Sequence, residues 1–127
     1  MADQIKLHIE RSEDTPEVSF DASSGMYSIL GRSLPENAYN FYHPVIDFVK
    51  SNIIKTVIKN TFIIQLDYFN SSSGRFIFEL LTVLEEYQLS ESTLQVIWKV
   101  EKDDELMIEK GEELQSMLKI PFQIEKS

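Results

Sequence analysis

Cysteine is missing from all 127 residues, which removes disulfides, thiolate metal ligands and cysteine nucleophiles together, along with any redox evidence of compartment. Histidine is scarce: only His8 and His43 occur, and with no matched acid pair they leave little for acid–base catalysis at neutral pH. Positive charge is short as well. Twelve basic residues face twenty-one acidic ones, so the chain carries a formal charge of −9 and repels nucleic acid and anionic membrane on average. No stretch approaches the roughly eighteen apolar residues of a membrane span, and Met-Ala-Asp-Gln-Ile-Lys lacks the apolar segment of a secretion signal, so a cytoplasmic location is the default expectation. Neither GxSxG nor GxxxxGK[ST] occurs, which weighs against a serine hydrolase or a phosphate-loop enzyme. Internal repeats, low-complexity tracts and linkers are absent too. What remains is an ordinary globular composition, 43% hydrophobic and 26% charged in 14.8 kDa, sized for one domain over residues 1–127.

Hydrophobic periodicity orders the elements. Ile5, Leu7 and Ile9 alternate with polar residues, Val18 and Phe20 suggest a second short strand, and Met26 to Gly31 a third with Tyr27 and Ile29 on one face. From Ser33 the period changes: Ala38, Phe41, Tyr42, Val45, Phe48, Val49 and Ile53 fall at helical spacing. Pro35 suits the first turn of that helix and Glu36 its dipole, while Pro44 predicts a kink or a break. Thr61 to Phe69 reads as a central strand buried on both faces, with Phe62, Ile64, Leu66 and Tyr68 on one side and Ile63 and Phe69 on the other. Phe76, Ile77, Leu80, Leu81, Leu84 and Tyr87 then mark an amphipathic helix, and Thr93 to Val100 alternates as a strand. Strand, helix and strand in that order predict a parallel βαβ unit with a right-handed crossover. Asp103 or Asp104 caps a last helix with Met107, Gly111, Leu114 and Leu118 on its inner face, Pro121 stops it, and Phe122 and Ile124 make a final strand. The expected fold class is a single-domain α/β sandwich, a mixed sheet with about three helices.

The segment richest in chemistry is Tyr68-Phe69-Asn70-Ser71-Ser72-Ser73-Gly74-Arg75, which joins the central strand to a helix N-terminus. Unpaired N–H groups and the helix dipole favour an anion there, so a phosphate bound at this turn or carried on one of its serines is one reading. A plain cap, with Asn70 or Ser71 accepting from a first-turn N–H, is the other. Asn70-Ser71-Ser72 also matches a glycosylation sequon, which carries little weight without a secretion signal. Asp103, Asp104 and Glu105 lack the pattern of a calcium loop and read as an acidic helix start. His8 and His43 are read without a companion ligand at i+4, as structural or exposed residues, and no metal site is expected. Tyr39, Phe41, Tyr42 and Phe48 read as core, with an aromatic recognition surface as the alternative.

Three segments together point to a family: Gly31-Arg32-Ser33-Leu34-Pro35-Glu36-Asn37-Ala38 running on to Phe41-Tyr42-His43-Pro44; then Tyr68 to Ser73; then Asp103-Asp104-Glu105 with Gly111-Glu112-Glu113 and Pro121-Phe122. In these, in order and over nearly its whole length, the chain resembles the SiaC-type regulatory phosphoproteins. The resemblance implies a fold similar to the anti-sigma-factor antagonists (STAS-like), no catalysis and no cofactor. It implies that one hydroxyl of the Asn-Thr/Ser-Ser-Ser turn is phosphorylated by a GHKL-type serine/threonine kinase and dephosphorylated by a PP2C-type phosphatase. It further implies that the unphosphorylated form binds and activates a diguanylate cyclase, in cyclic di-GMP signalling and biofilm formation. The matching acceptor is Ser71, a serine where the family often has threonine, with Ser72 and Ser73 as rivals. Asn70, Ser72, Ser73, Gly74 and Arg75 make up the contact turn, and Arg32, Pro35, Glu36, Asn37, Asp103 and Asp104 are candidates for partner surface. Gly31 to Asn37 reads equally as a plain strand-to-helix turn, and the acidic last helix as a solvated face. The expected mechanism is local occlusion of an interface around Ser71, without a large conformational change. The alternatives are a STAS-type anti-sigma-factor antagonist, or a small binding module that is never phosphorylated.

Overall fold

The computed structural model describes residues 5–52, 59–87 and 93–127. Ile53, assigned above to the inner face of a helix, and Met1 to Gln4 lie outside these residues. The elements run β1 (Lys6–Ile9), β2 (Glu17–Asp21), β3 (Met26–Ser33), α1 (Ala38–Asn52), β4 (Lys59–Phe69), α2 (Ser71–Tyr87), β5 (Thr93–Val100), α3 (Glu105–Met117) and β6 (Phe122–Lys126). One six-stranded sheet holds all the strands in the order of the chain, β1-β2-β3-β4-β5-β6. The first two pairings are antiparallel and the last three parallel, so the expected βαβ unit is one of three in succession.

The register lines up apolar residues across the sheet. Leu7 pairs with Phe20, Phe20 with Tyr27, Tyr27 with Phe62, Phe62 with Val96 and Val96 with Phe122, a row crossing all six strands. Aromatic packing fixes its middle: Tyr27 and Phe62 stack at 4.2 Å, and Phe20 meets both edge-on. The helices cover this face, with Phe48 of α1 against Phe20 and Gly111 of α3 against Trp98. The opposite face carries Ser19 and Gln65 exposed and Ser28, Ile63, Gln95 and Ile97 half-buried. β4 is therefore central because strands flank it, and its far face is open rather than buried as its composition suggests.

Three local expectations change. α1 begins at Ala38, so Pro35 and Glu36 precede it, and Asn37 is its cap, with Oδ1 accepting from Asn40 N–H at 3.0 Å. Pro44 does not break α1, which runs unbroken through it. Asn40, His43, Pro44 and Asp47 share the exposed side, so water can reach the Asn40 carbonyl that Pro44 leaves unpaired. The third change is a register shift between β3 and β4: Gly31 pairs with Leu66 but Arg32 pairs with Tyr68, which leaves Asp67 as an extra, bulged residue. The bulge reverses the alternation. Tyr68, expected inside, is 40% exposed, while Phe69 turns to the helix face and meets Trp98 edge-on at 6.0 Å.

Candidate functional site

Chain direction places the ends of β3 and β4 side by side, and each runs into a helix, so the starts of α1 and α2 share one rim of the sheet. At this rim Asn70 caps α2: its side-chain oxygen accepts from Ser73 N–H at 2.9 Å and its carbonyl from Gly74 N–H at 2.9 Å. Ser71, Ser72 and Ser73 form the first turn, each in a different setting. Ser71 and Ser72 are exposed, whereas Ser73 is fully buried and donates to the Ser33 carbonyl at 2.9 Å. That carbonyl also accepts from Asn70 N–H at 3.1 Å. Ser33 Oγ in turn donates to Ser73 Oγ at 2.8 Å and lies 2.5 Å from the Tyr42 hydroxyl. With the Ser33 proton committed to Ser73, Tyr42 is the donor to Ser33. A buried relay of three hydroxyls thus ties α1, β3 and α2 together beneath the exposed serines, and phosphorylation of Ser73 would have to dismantle it.

Burial pushes the Tyr42 hydroxyl up to about 12. Tyr27 is also pushed up to about 12, by burial and then by the Asp21 charge, and its hydroxyl has no hydrogen-bond partner among the described residues. The folded state holds both protons more tightly than the unfolded chain, so their contribution is intact below the ordinary tyrosine value of 10.0 and is lost as pH rises towards 12. The melting temperature is expected to drop steeply between those two pH values. A Tyr27→Phe, Tyr42→Phe double variant should show a shallower decline from its own neutral baseline, and an unchanged alkaline slope would contradict this account.

Three surface grooves meet at Ser71. One, of about 400 Å³, runs past Glu36, Asn37, Tyr39, Ser72, Arg75 and Phe76. A second, of about 330 Å³, lies between α2 and α3 over Phe69, with Lys110, Leu114 and Met117 on its far wall. The third, of about 190 Å³, is lined by Tyr68, Asn70, Leu106 and Lys110. Tyr39, Tyr68, Leu106 and Met117 are 56%, 40%, 51% and 51% exposed, and each lines a groove that Ser71 also lines. Large apolar side chains left in water around one hydroxyl make a surface suited to a protein partner.

The other candidate residues divide. Glu36 and Asn37 reach the Ser71 grooves, and Gly74 and Arg75 line them, whereas Pro35 is buried. Arg32 does not join them; it lines a separate pocket with Arg11, Asp14, Gly31 and Asp67. Asp104 caps α3, accepting from Met107 N–H at 3.2 Å, and exposed Asp103 precedes it; neither lines these grooves. The aromatic quartet splits: Tyr42 and Phe48 are core, Phe41 is half-buried and Tyr39 is exposed. His43 does have a companion at i+4, Asp47, with Nε2 3.1 Å from a carboxylate oxygen, on the exposed side of α1. Among the described residues no group of three His, Cys, Asp or Glu side chains could hold a metal, and no helix is long and apolar enough to cross a membrane.

Sequence reading missed Leu106, Met117 and Lys110, and it placed Tyr68 in the suggestive segment but on the wrong side of the strand. For the first two a signal existed, since Leu106 and Met117 fall off the inner face set by Met107, Gly111 and Leu114. An apolar residue on the polar side of an amphipathic helix marks a contact surface. For Tyr68 the signal pointed the wrong way, because the bulge is invisible to strict alternation.

The family model described as "SiaC family regulatory phosphoprotein" matches residues 9–127. An uncharacterised protein of Pseudomonas aeruginosa strain UCBPP-PA14 is 29% identical over 119 residues, 94% of this chain and 94% of that protein. The crystal structure of apo-SiaC from Pseudomonas aeruginosa superposes with a TM-score of 0.85 at 29% identity, covering 94% of this chain and 98% of the other. A crystal structure of the diguanylate cyclase SiaD in complex with its activator SiaC, from the same organism, gives a TM-score of 0.89 at 29% identity over 95% of this chain and 99% of the matched one.

Proposed function

Since the chain belongs to the SiaC family of regulatory phosphoproteins, we propose that it is a non-enzymatic switch whose unmodified form binds and activates a diguanylate cyclase and whose phosphorylation on Ser71 releases that partner. A GHKL-type serine/threonine kinase adds the phosphate and a PP2C-type phosphatase removes it, in the cytoplasm where the cyclase finds its nucleotide substrate. The observation that carries this reading is the setting of Ser71: an exposed hydroxyl in the first turn of α2, where three grooves and four exposed apolar side chains converge. Of its rivals, Ser73 is buried with its proton committed to the Ser33 carbonyl, and Ser72 lines a single one of those grooves. The likeness to an activator solved with its cyclase supports the choice of partner. The rim is also fit to carry a phosphate, because the N–H groups and dipole at the start of α2 favour a dianion. The fold should therefore tolerate modification while the docking surface does not.

Phosphopeptide mapping of the protein from its native cells, with and without phosphatase treatment, tests the reading. A phosphatase-sensitive phosphate on Ser71, together with cyclase activation by the bare chain and not by the modified one, is the expected result. Phosphate confined to Ser72 would move the switch by one residue. None in any growth condition would return Asn70 to Ser73 to a plain cap.

A further inference from the structure

We propose that the groove between α2 and α3 receives an acidic segment of the partner, its apolar side chain seated over Phe69 and Leu114 and its carboxylate held by Arg75 and Lys110. This rests on the switch reading above and adds to it the chemistry of the docking element. α2 packs against α1, while α3 packs against β5 and β6, which leaves the space over Phe69 as a groove of about 330 Å³. The Asp67 bulge turns Phe69 into that space, and Gly74, with no side chain, keeps it open: a Cβ there would come within 2.9 Å of the Phe69 ring. Met117 stands half in water at the far end. Apolar side chains, Phe69, Ile77, Phe78, Leu114 and Met117, thus line much of the groove.

Charge supplies the occupant. The chain carries −9 overall, yet both Arg75 and Lys110 line this groove, and neither forms an ion pair among the described residues. Glu113 lines it too, one turn from Lys110, and makes no ion pair with it. An acidic segment approaching this protein is repelled by most of its surface and attracted here, so the two cations fix where and in which register it docks. Ser71 lines the same groove as both cations. A phosphate on Ser71 would thus do more than obstruct: it would claim the two side chains that hold the partner's carboxylate, and the switch becomes a competition between two anions for one pair of cations.

A photo-crosslinking residue placed at exposed Met117 in the full chain, incubated with the full-length diguanylate cyclases of the same organism, tests this directly. The crosslinked segment is expected to carry Asp or Glu beside apolar residues. Arg75→Glu and Lys110→Glu should each weaken cyclase binding at least tenfold, while Gln65→Glu on the open sheet face leaves it unchanged. Binding of the natural chain should also weaken as NaCl is raised. A crosslink to a basic segment, or charge reversals that leave affinity unchanged while the bare chain still activates the cyclase, would overturn the groove assignment and leave the switch standing. If no cyclase binds the bare chain, the switch reading falls and this inference falls with it.

Discussion

Phosphoserine at position 71 is expected to weaken cyclase binding by about a hundredfold or more, equivalent to about 3 kcal/mol. Docking must dehydrate the surface around Tyr39, Tyr68, Leu106 and Met117, all of which line grooves shared with Ser71. A group of about −1.5 to −2 charge at the centre of that surface is costly to dehydrate, so a partner docking over it loses much of what the apolar contacts contribute. Genetically encoded phosphoserine makes the comparison independent of any kinase. Titration calorimetry against the full-length cyclase should give strong binding for the natural chain and for Ser71→Ala, and at least a hundredfold loss for the phosphorylated form. Ser71→Asp, with a single charge and a shorter reach, should fall between. The melting temperature of the phosphorylated protein should not drop, because the helix start accommodates the charge. Equal affinity for bare and phosphorylated chains would end the occlusion mechanism.

Gly111→Ala is expected to destabilise the fold by about 2–3 kcal/mol, although helix propensity alone favours alanine by about 1 kcal/mol. A Cβ at Gly111 would sit 2.5 Å from Trp98 Cδ1 and 2.7 Å from Nε1. The indole has nowhere to go. It is 1% exposed, its Nε1 donates to the Met107 carbonyl at 2.9 Å, and the Phe69 and Phe122 rings flank it. The alanine therefore has to push α3 off β5, losing the indole hydrogen bond or the packing of Met107. A fall in melting temperature of roughly 10 °C is the expected reading, with Glu112→Ala, exposed on the same helix, close to the natural protein. A Gly111→Ala protein that melts higher than the natural one would mean that α3 yields at little cost.

The sheet, the three helices and their order were legible because each rests on local period: alternation in Leu94, Val96, Trp98 and Val100, and helical spacing in Phe76, Ile77, Leu80 and Leu84. The serine turn was legible for a different reason, being unusual in composition. What could not be read depended on relations between segments. Nothing local distinguishes Tyr68 from Phe69 until β3 sets the register and Asp67 bulges. Ser33 and Ser73 stand forty residues apart, and neither announces that it will be buried against the other. The same holds for the open face of β4, since Ile63 looks like core until the helices prove to lie on one side. Pro35 and Pro44 misled because proline constrains one turn of backbone, while the true start of α1 is fixed by Asn37 and its bond to Asn40.

The strand order bears on how the molecule is made. Because β1 to β6 lie in the sheet in the order in which a ribosome delivers them, each new strand adds to the edge left by the one before, and no strand waits for a distant one. Assembly can therefore proceed during synthesis, starting from the antiparallel hairpins of β1, β2 and β3. The cost is a succession of exposed edges. One of them is β5, with Leu94, Val96, Trp98 and Val100 on one face and its outer edge unpaired until β6 arrives. An interruption of translation within α3 would leave that edge bare, so nascent chains stalled there are the ones a chaperone would need to shield.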